Sequence, residues 1–211
     1  MNKSLLTKLL ICGIIAPLLY IYTDILLGLS WSSYKFSSQA ISELSAIGAP
    51  TRISWIVMTF LYSPLIMVFG IGVWKIAKNS RPLRITGVLL AIWGFLGYIW
   101  LLFPMHLRGA IGSTTDTMHL VMSAITVLLM TSFIGFGSTV LGKKFRFYSI
   151  STILTMLIFG AIVGQQAPRV AAQLPTPLMG IMERISVYSP ILWVLILAIS
   201  LLYIQKKHSN N

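Results

Sequence analysis

Acidic side chains are almost missing from this chain. Only four of its 211 residues are Asp or Glu (Asp24, Glu43, Asp116 and Glu183), and all charged types together make up 9%. A water-soluble domain carries about 25%. These few charges cannot coat a surface that faces water, so lipid must cover much of it. Cysteine is scarcer still: Cys12 stands alone, which excludes an intrachain disulfide and any metal site built from several thiolates. A single cysteine in an apolar run acts as a small buried hydrophobe. The sequence also has no phosphate-cradling glycine loop, HExxH pair, nucleophile elbow or haem motif. Their absence argues against an ATP-driven pump and a standard zincin.

Apolar residues are abundant. They make up 56% of the chain, and the mean hydropathy is +0.86. A membrane span needs about 20 mostly apolar residues, and six such stretches fit, at about 9–29, 53–76, 85–103, 117–141, 147–165 and 185–204. The pattern predicts an all-α polytopic membrane bundle of six transmembrane helices, a single domain over 1–211 in the cell membrane. The first stretch follows Lys3 and Lys8, as a signal peptide would. It is longer than a signal core, carries Pro17 and Asp24, and lacks a small-x-small cleavage site, so it is read as retained. Between the first two spans, Ile41, Leu44 and Ile47 share one side of a segment closed by Gly48 and Pro50. That spacing predicts a short amphipathic helix on the membrane surface. In the third span, Gly87, Ala91 and Gly94 make a small-residue stripe suited to close helix packing. Trp31, Trp55, Trp74, Trp100 and Trp193 lie toward span ends and read as interfacial anchors.

The net charge of +12 is the usual mark of a nucleic-acid partner. Here the basic residues sit in small groups between apolar spans, so no nucleic acid is expected, and loop charge sets the orientation instead. Lys3, Lys8, Lys75, Lys78, Arg81, Arg84, Lys143, Lys144, Arg146, Lys206 and Lys207 fall on one side, with His208 in the tail beyond them. Lys35, Arg52, Arg108, Arg169 and Arg184 fall on the other. The excess places both termini in the cytoplasm, and an even number of spans agrees.

The acids sort the opposite way. Glu43, Asp116 and Glu183 lie in the external loops or at span mouths, Asp24 in the outer half of the first span, and His106 and His119 are external too. An ionised group in hydrocarbon costs about 2.5–3.5 kcal/mol at a helix centre, so groups near it seek partners. Two arrangements satisfy that need: an outward-facing polar pocket, or structural ion pairs that tie loops together. Asp116, His119, Ser123 and Thr126 are spaced to line one helical face. Asp116 is placed to cap the fourth span, and to orient or charge His119 for proton transfer. His106 across a short loop supplies a second imidazole, making His106, Asp116 and His119 candidates for catalysis or for zinc. Asp24 is expected to pair with an external arginine. Glu183 suits a helix start, and PTPLMG is a stiff turn. Glu43, Ser123, Glu183, Arg108, Arg169 and Arg184 complete the candidate ligand-binding set, with the arginines suited to an anionic headgroup.

Five strings, FSSQAISELSAIGAPTR, FPMHLRG, TDTMH, FRFYSI and LPTPLMGIMERISVY, resemble the bacterial and archaeal domain-of-unknown-function 998 family. They run from the first span nearly to the last. The resemblance implies a six-helix integral membrane protein and brings no activity, substrate or cofactor with it. A looser similarity is to membrane hydrolases of the alkaline ceramidase type, from which this chain departs in lacking an HxxxH helix and one span. Three functions follow: binding of a lipid headgroup or small polar ligand, an Asp/His hydrolase or transferase, and a secondary transporter using Asp24.

Overall fold

The computed structural model describes residues 2–109 and 113–207, so His208 lies outside it. Among the described residues, six helices are each long and apolar enough to cross a membrane. They are α1 (Lys3–Ser30), α2 (Arg52–Ile76), α3 (Arg81–Trp100), α4 (Thr114–Gly137), α5 (Lys143–Ala171) and α6 (Met179–Lys207). Consecutive helices pack side by side, and α6 closes the ring on α1. The amide of Gln205 near the end of α6 donates to the Lys3 carbonyl and the Thr7 hydroxyl at the start of α1, at 3.1 and 3.0 Å. The start of α1 and the end of α6 therefore meet at one end of the bundle. That end also carries the basic turns between α2 and α3 and between α4 and α5. The three longer loops gather at the other end, here called the capped end.

Three of the helices, α1, α3 and α4, start at a side-chain cap. Asn2 accepts from the Ser4 amide, and Ser80 from that of Leu83. Ser113 and Asp116 form a reciprocal capping box on α4, which satisfies two amides that would otherwise lack partners. α6 begins at Met179, ahead of the expected 185, and so includes Glu183 and Arg184. Apolar composition alone ends a span at such charges, but here partners on α1 and the loops compensate both. α5 likewise runs on to Ala171.

α2 and α3 touch backbone to backbone. A methyl added at Gly87 would lie 2.5 Å from the Trp74 amide nitrogen, and one at Gly70 would lie 2.6 Å from the Gly87 carbonyl. Without a hydrophobic force between helices in lipid, such close approach supplies the packing energy. Gly87→Ala is expected to cost about 1–3 kcal/mol as overpacking, read as a lower unfolding midpoint in mild detergent. Gly135→Ala should leave it unchanged or higher, because its methyl meets nothing within 4 Å.

Two expectations are corrected. Trp193 is not an interfacial anchor: it is fully buried, its indole N–H donates to Ser149 at 2.8 Å, and its ring lies against Phe133 and Phe145. A hydroxyl on α5 satisfies the one polar atom of the indole, so the ring fits mid-bundle. Nor does the short helix expected at 41–47 lie on the membrane surface. Ile41–Ser45 is a single 3-10 turn whose Ile41 and Leu44 are buried against protein, while Ile47 is bridged to His106. Glu43 sits in that turn at 0% exposure, and it needs protein partners that a membrane surface would not provide.

Candidate functional site

The capped end is built around two arginines. Arg108, in the α3–α4 loop, grips Glu43 with both edges of its guanidinium: Nε to Oε2 and Nη2 to Oε1, each at 2.8 Å. The same guanidinium donates to the Thr176 hydroxyl and the Ser38 carbonyl, also at 2.8 Å. Thr176 in turn donates to Ser38 at 2.7 Å. One side chain thus joins all three loops. Paired bonds of this kind are directional and strong. The bonded carboxylate raises the pKa of Arg108. The Ala40 amide and the Gln39 side chain occupy further acceptor sites of Glu43.

Arg184, on the first turns of α6, grips Asp24 on α1 in the same way, through Nε at 2.9 Å and Nη2 at 2.8 Å. Asp24 is fully buried and accepts a further bond from the Tyr188 hydroxyl. Nη2 also donates to the Tyr34 hydroxyl at 2.8 Å. Nη1 donates to the carbonyls of Phe36 and Gly180 at 3.0 and 3.1 Å. A guanidinium has five N–H groups, and these bonds engage all of them. The Phe36 ring covers the cation at 4.7 Å. Burial raises the pKa of the Tyr34 phenol, so this hydroxyl stays a donor and hydrogen-bonds the Ala40 carbonyl at 2.8 Å. Beside it, Glu183 accepts from the Ser42 hydroxyl at 2.9 Å and from the Ile41 amide. Gly180 lets α6 begin here, since a Cβ would run into the carbonyls of Phe36 and Gln39.

The third pair is more open. Asp116 accepts from the His106 amide at 2.7 Å and lies 2.9 Å from ring Nδ1. The Ser113 amide and hydroxyl bond the same carboxylate at 3.0 and 2.8 Å. The side chains of His106 and Asp116 are 29% and 28% exposed, whereas Asp24 and Glu43 are at 0%. The imidazole Nε2 makes no hydrogen bond among the described residues.

All these residues fall within one family match. The chain belongs to the family described as Protein of unknown function, DUF998. Its model matches residues 14–200, which take in both arginine clusters and the histidine–aspartate pair. No curated protein and no solved structure matches this chain.

In this DUF998 chain the expected helical face of Asp116, His119, Ser123 and Thr126 is divided among partners. Side chains on a helix lean toward its N-terminus, so Asp116 reaches back to Ser113 and His106 and not forward to His119. The His119 ring nitrogen Nδ1 lies 3.0 Å from the Phe103 carbonyl, and the ring stands edge-on to Trp100 at 4.7 Å. Ser123 donates to the His119 carbonyl, and Thr126 accepts from the Trp100 indole. Among the described residues, no three His, Cys, Asp or Glu side chains are grouped to hold a metal. Catalytic zinc takes three protein ligands, and His106 with Asp116 supplies two. Arg169 spends Nε on the Pro175 carbonyl at 2.8 Å and is otherwise exposed.

Several residues that complete the site went unread in the sequence. Tyr188 lies four residues after Arg184, on the same helical face, so its part was there to be found. Tyr34, Gln39, Ser42 and Thr176 reach the site through loop geometry, which no spacing rule predicts. Open grooves run along the sides of the bundle. One, of about 340 Å³, runs along α6 past Ile181, Arg184, Ile185 and Tyr188. Another, of about 430 Å³, follows the α2–α3 seam.

Proposed function

We propose that this membrane protein keeps both chain ends in the cytoplasm and binds a lipid headgroup or another small polar ligand at the opposite end, through His106 and Asp116. The orientation follows from the basic residues, which concentrate where the chain ends meet, as cytoplasmic loops do. The observation that carries the binding site is the difference in exposure between the three ion pairs. Asp24–Arg184 and Glu43–Arg108 are committed to tying α1, α6 and the loops together, and Arg184 has no donor left for a ligand. His106–Asp116 is partly open, and its ring Nε2 has no hydrogen bond among the described residues. Arg169, exposed and bonded through Nε alone among the described residues, adds positive charge at the same end. The transporter reading has less support, because Asp24 is locked by Arg184 and Tyr188.

The same pair also favours a second reading, a hydrolase or transferase. A carboxylate on Nδ1 fixes the imidazole tautomer and leaves Nε2 to accept a proton, the arrangement of a general base. One set of measurements separates the two. Purified protein in nanodiscs should retain a particular headgroup class from a mixed lipid panel, read by mass spectrometry. His106→Ala should weaken that retention about tenfold or more, the worth of one charge-assisted hydrogen bond. Unchanged retention would reject the binding site. Turnover of an ester or amide lipid probe that is lost in His106→Ala would establish the enzyme.

A further inference from the structure

The α2–α3 seam ends at a basic turn, and the two features suit a single ligand. The groove has a floor of Gly70, Gly87 and Ala91 and walls that include Ile71, Trp74 and Val88. Ile71, Trp74 and Val88 are more than two-fifths exposed at the bundle surface. At its mouth stand Lys75, Lys78, Arg81 and Arg84, all exposed. The Lys75 ammonium lies over the Trp74 ring, 4.7 Å from its centre, next to the apolar channel. Arg84 folds back to donate to the Lys78 carbonyl, which keeps its charge at the turn.

The charge there has the wrong sign for the helix that carries it. The first turns of α3 hold Arg81 and Arg84, with no acid in the first turn. A helix N-terminus is electropositive and disfavours cations. Ser80 already caps this start, but the positive helix end and two guanidinia still favour an anion beside it. By the charge rule this end faces the cytoplasmic leaflet, where anionic lipids gather.

We propose that the α2–α3 groove and the Lys75–Arg84 turn together bind an anionic phospholipid, with the phosphate at the turn and one acyl chain along the glycine-floored channel. The occupant is a lipid and not a free phosphate, because the channel is apolar and opens toward the bilayer. This site is separate from the His106–Asp116 pair and lies at the other end of the bundle.

The test compares retention of phosphatidylglycerol and phosphatidylcholine with identical chains, measured by native mass spectrometry of the full chain released from mixed nanodiscs. The unaltered protein should favour phosphatidylglycerol. Lys75→Gln, Lys78→Gln and Arg81→Gln combined should cut that preference by about tenfold or more, since each interfacial cation is worth roughly a fivefold change. Val88→Trp should reduce retention of both lipids by narrowing the channel from its exposed wall. Lys143→Gln with Lys144→Gln, at the other basic turn, should leave the preference in place. Equal losses at the two turns would mean diffuse surface attraction and would overturn the proposal, as would full retention in Val88→Trp. A folding control, the unfolding midpoint in detergent, should match the unaltered protein for all three variants.

Discussion

Arg184→Ala is expected to lower stability by about 3–5 kcal/mol, the cost of leaving a buried charge without its partner. The partner is Asp24, at 0% exposure and gripped through both oxygens. The same substitution frees the carbonyls of Phe36 and Gly180, so the start of α6 and the loop after α1 should loosen together. Unfolding midpoints in mild detergent would show the loss. Arg184→Lys should recover little, because an ammonium cannot present a planar fork to a carboxylate and two carbonyls at once. Asp24→Leu combined with Arg184→Leu should be milder than Arg184→Ala alone, since it removes both charges and leaves apolar bulk. A wild-type midpoint for Arg184→Ala would show that the pair does not hold α1 to α6.

Arg108→Ala should cost about 3 kcal/mol by the same argument applied to Glu43, with a different signature. Arg108 contacts loops and touches no helix core, so the damage should be local. Amide exchange should quicken over 31–51 and 172–178 while the buried centres of α2 and α6 stay protected. Thr176→Val removes one of its bonds and should cost nearer 1 kcal/mol. Uniform loosening of the whole bundle in Arg108→Ala would contradict this division between cap and core.

Much of this arrangement was legible before any coordinates. Lipid as solvent leaves a strong trace in composition, so the six spans and the close α2–α3 packing at Gly87 and Gly94 follow from hydropathy and small-residue spacing. The pairing of Asp24 with a distant arginine also followed from the cost of burying a lone carboxylate. What failed was reasoning that stayed within one helix. Asp116 and His119 share a face by spacing, yet capping turns one toward His106 and a loop carbonyl takes the other. Trp193 is no span-end residue even on the expected bounds of 185–204, and α6 over Met179–Lys207 keeps it at mid-helix. Helix limits set by apolar composition stop at Glu183 and Arg184, because hydropathy has no means of seeing that Asp24, Ser42 and Tyr34 await those charges.

The joining of Asp24 to Arg184 has a consequence for biosynthesis. Their positions differ by 160 residues, so at ordinary rates of synthesis the carboxylate emerges roughly ten to thirty seconds before its counter-ion. Throughout that interval α1 carries an acid whose native partner, Arg184, has not yet been made. A proton, interfacial water or an earlier arginine such as Arg52 has to stand in until α6 arrives and the Arg184 fork takes over.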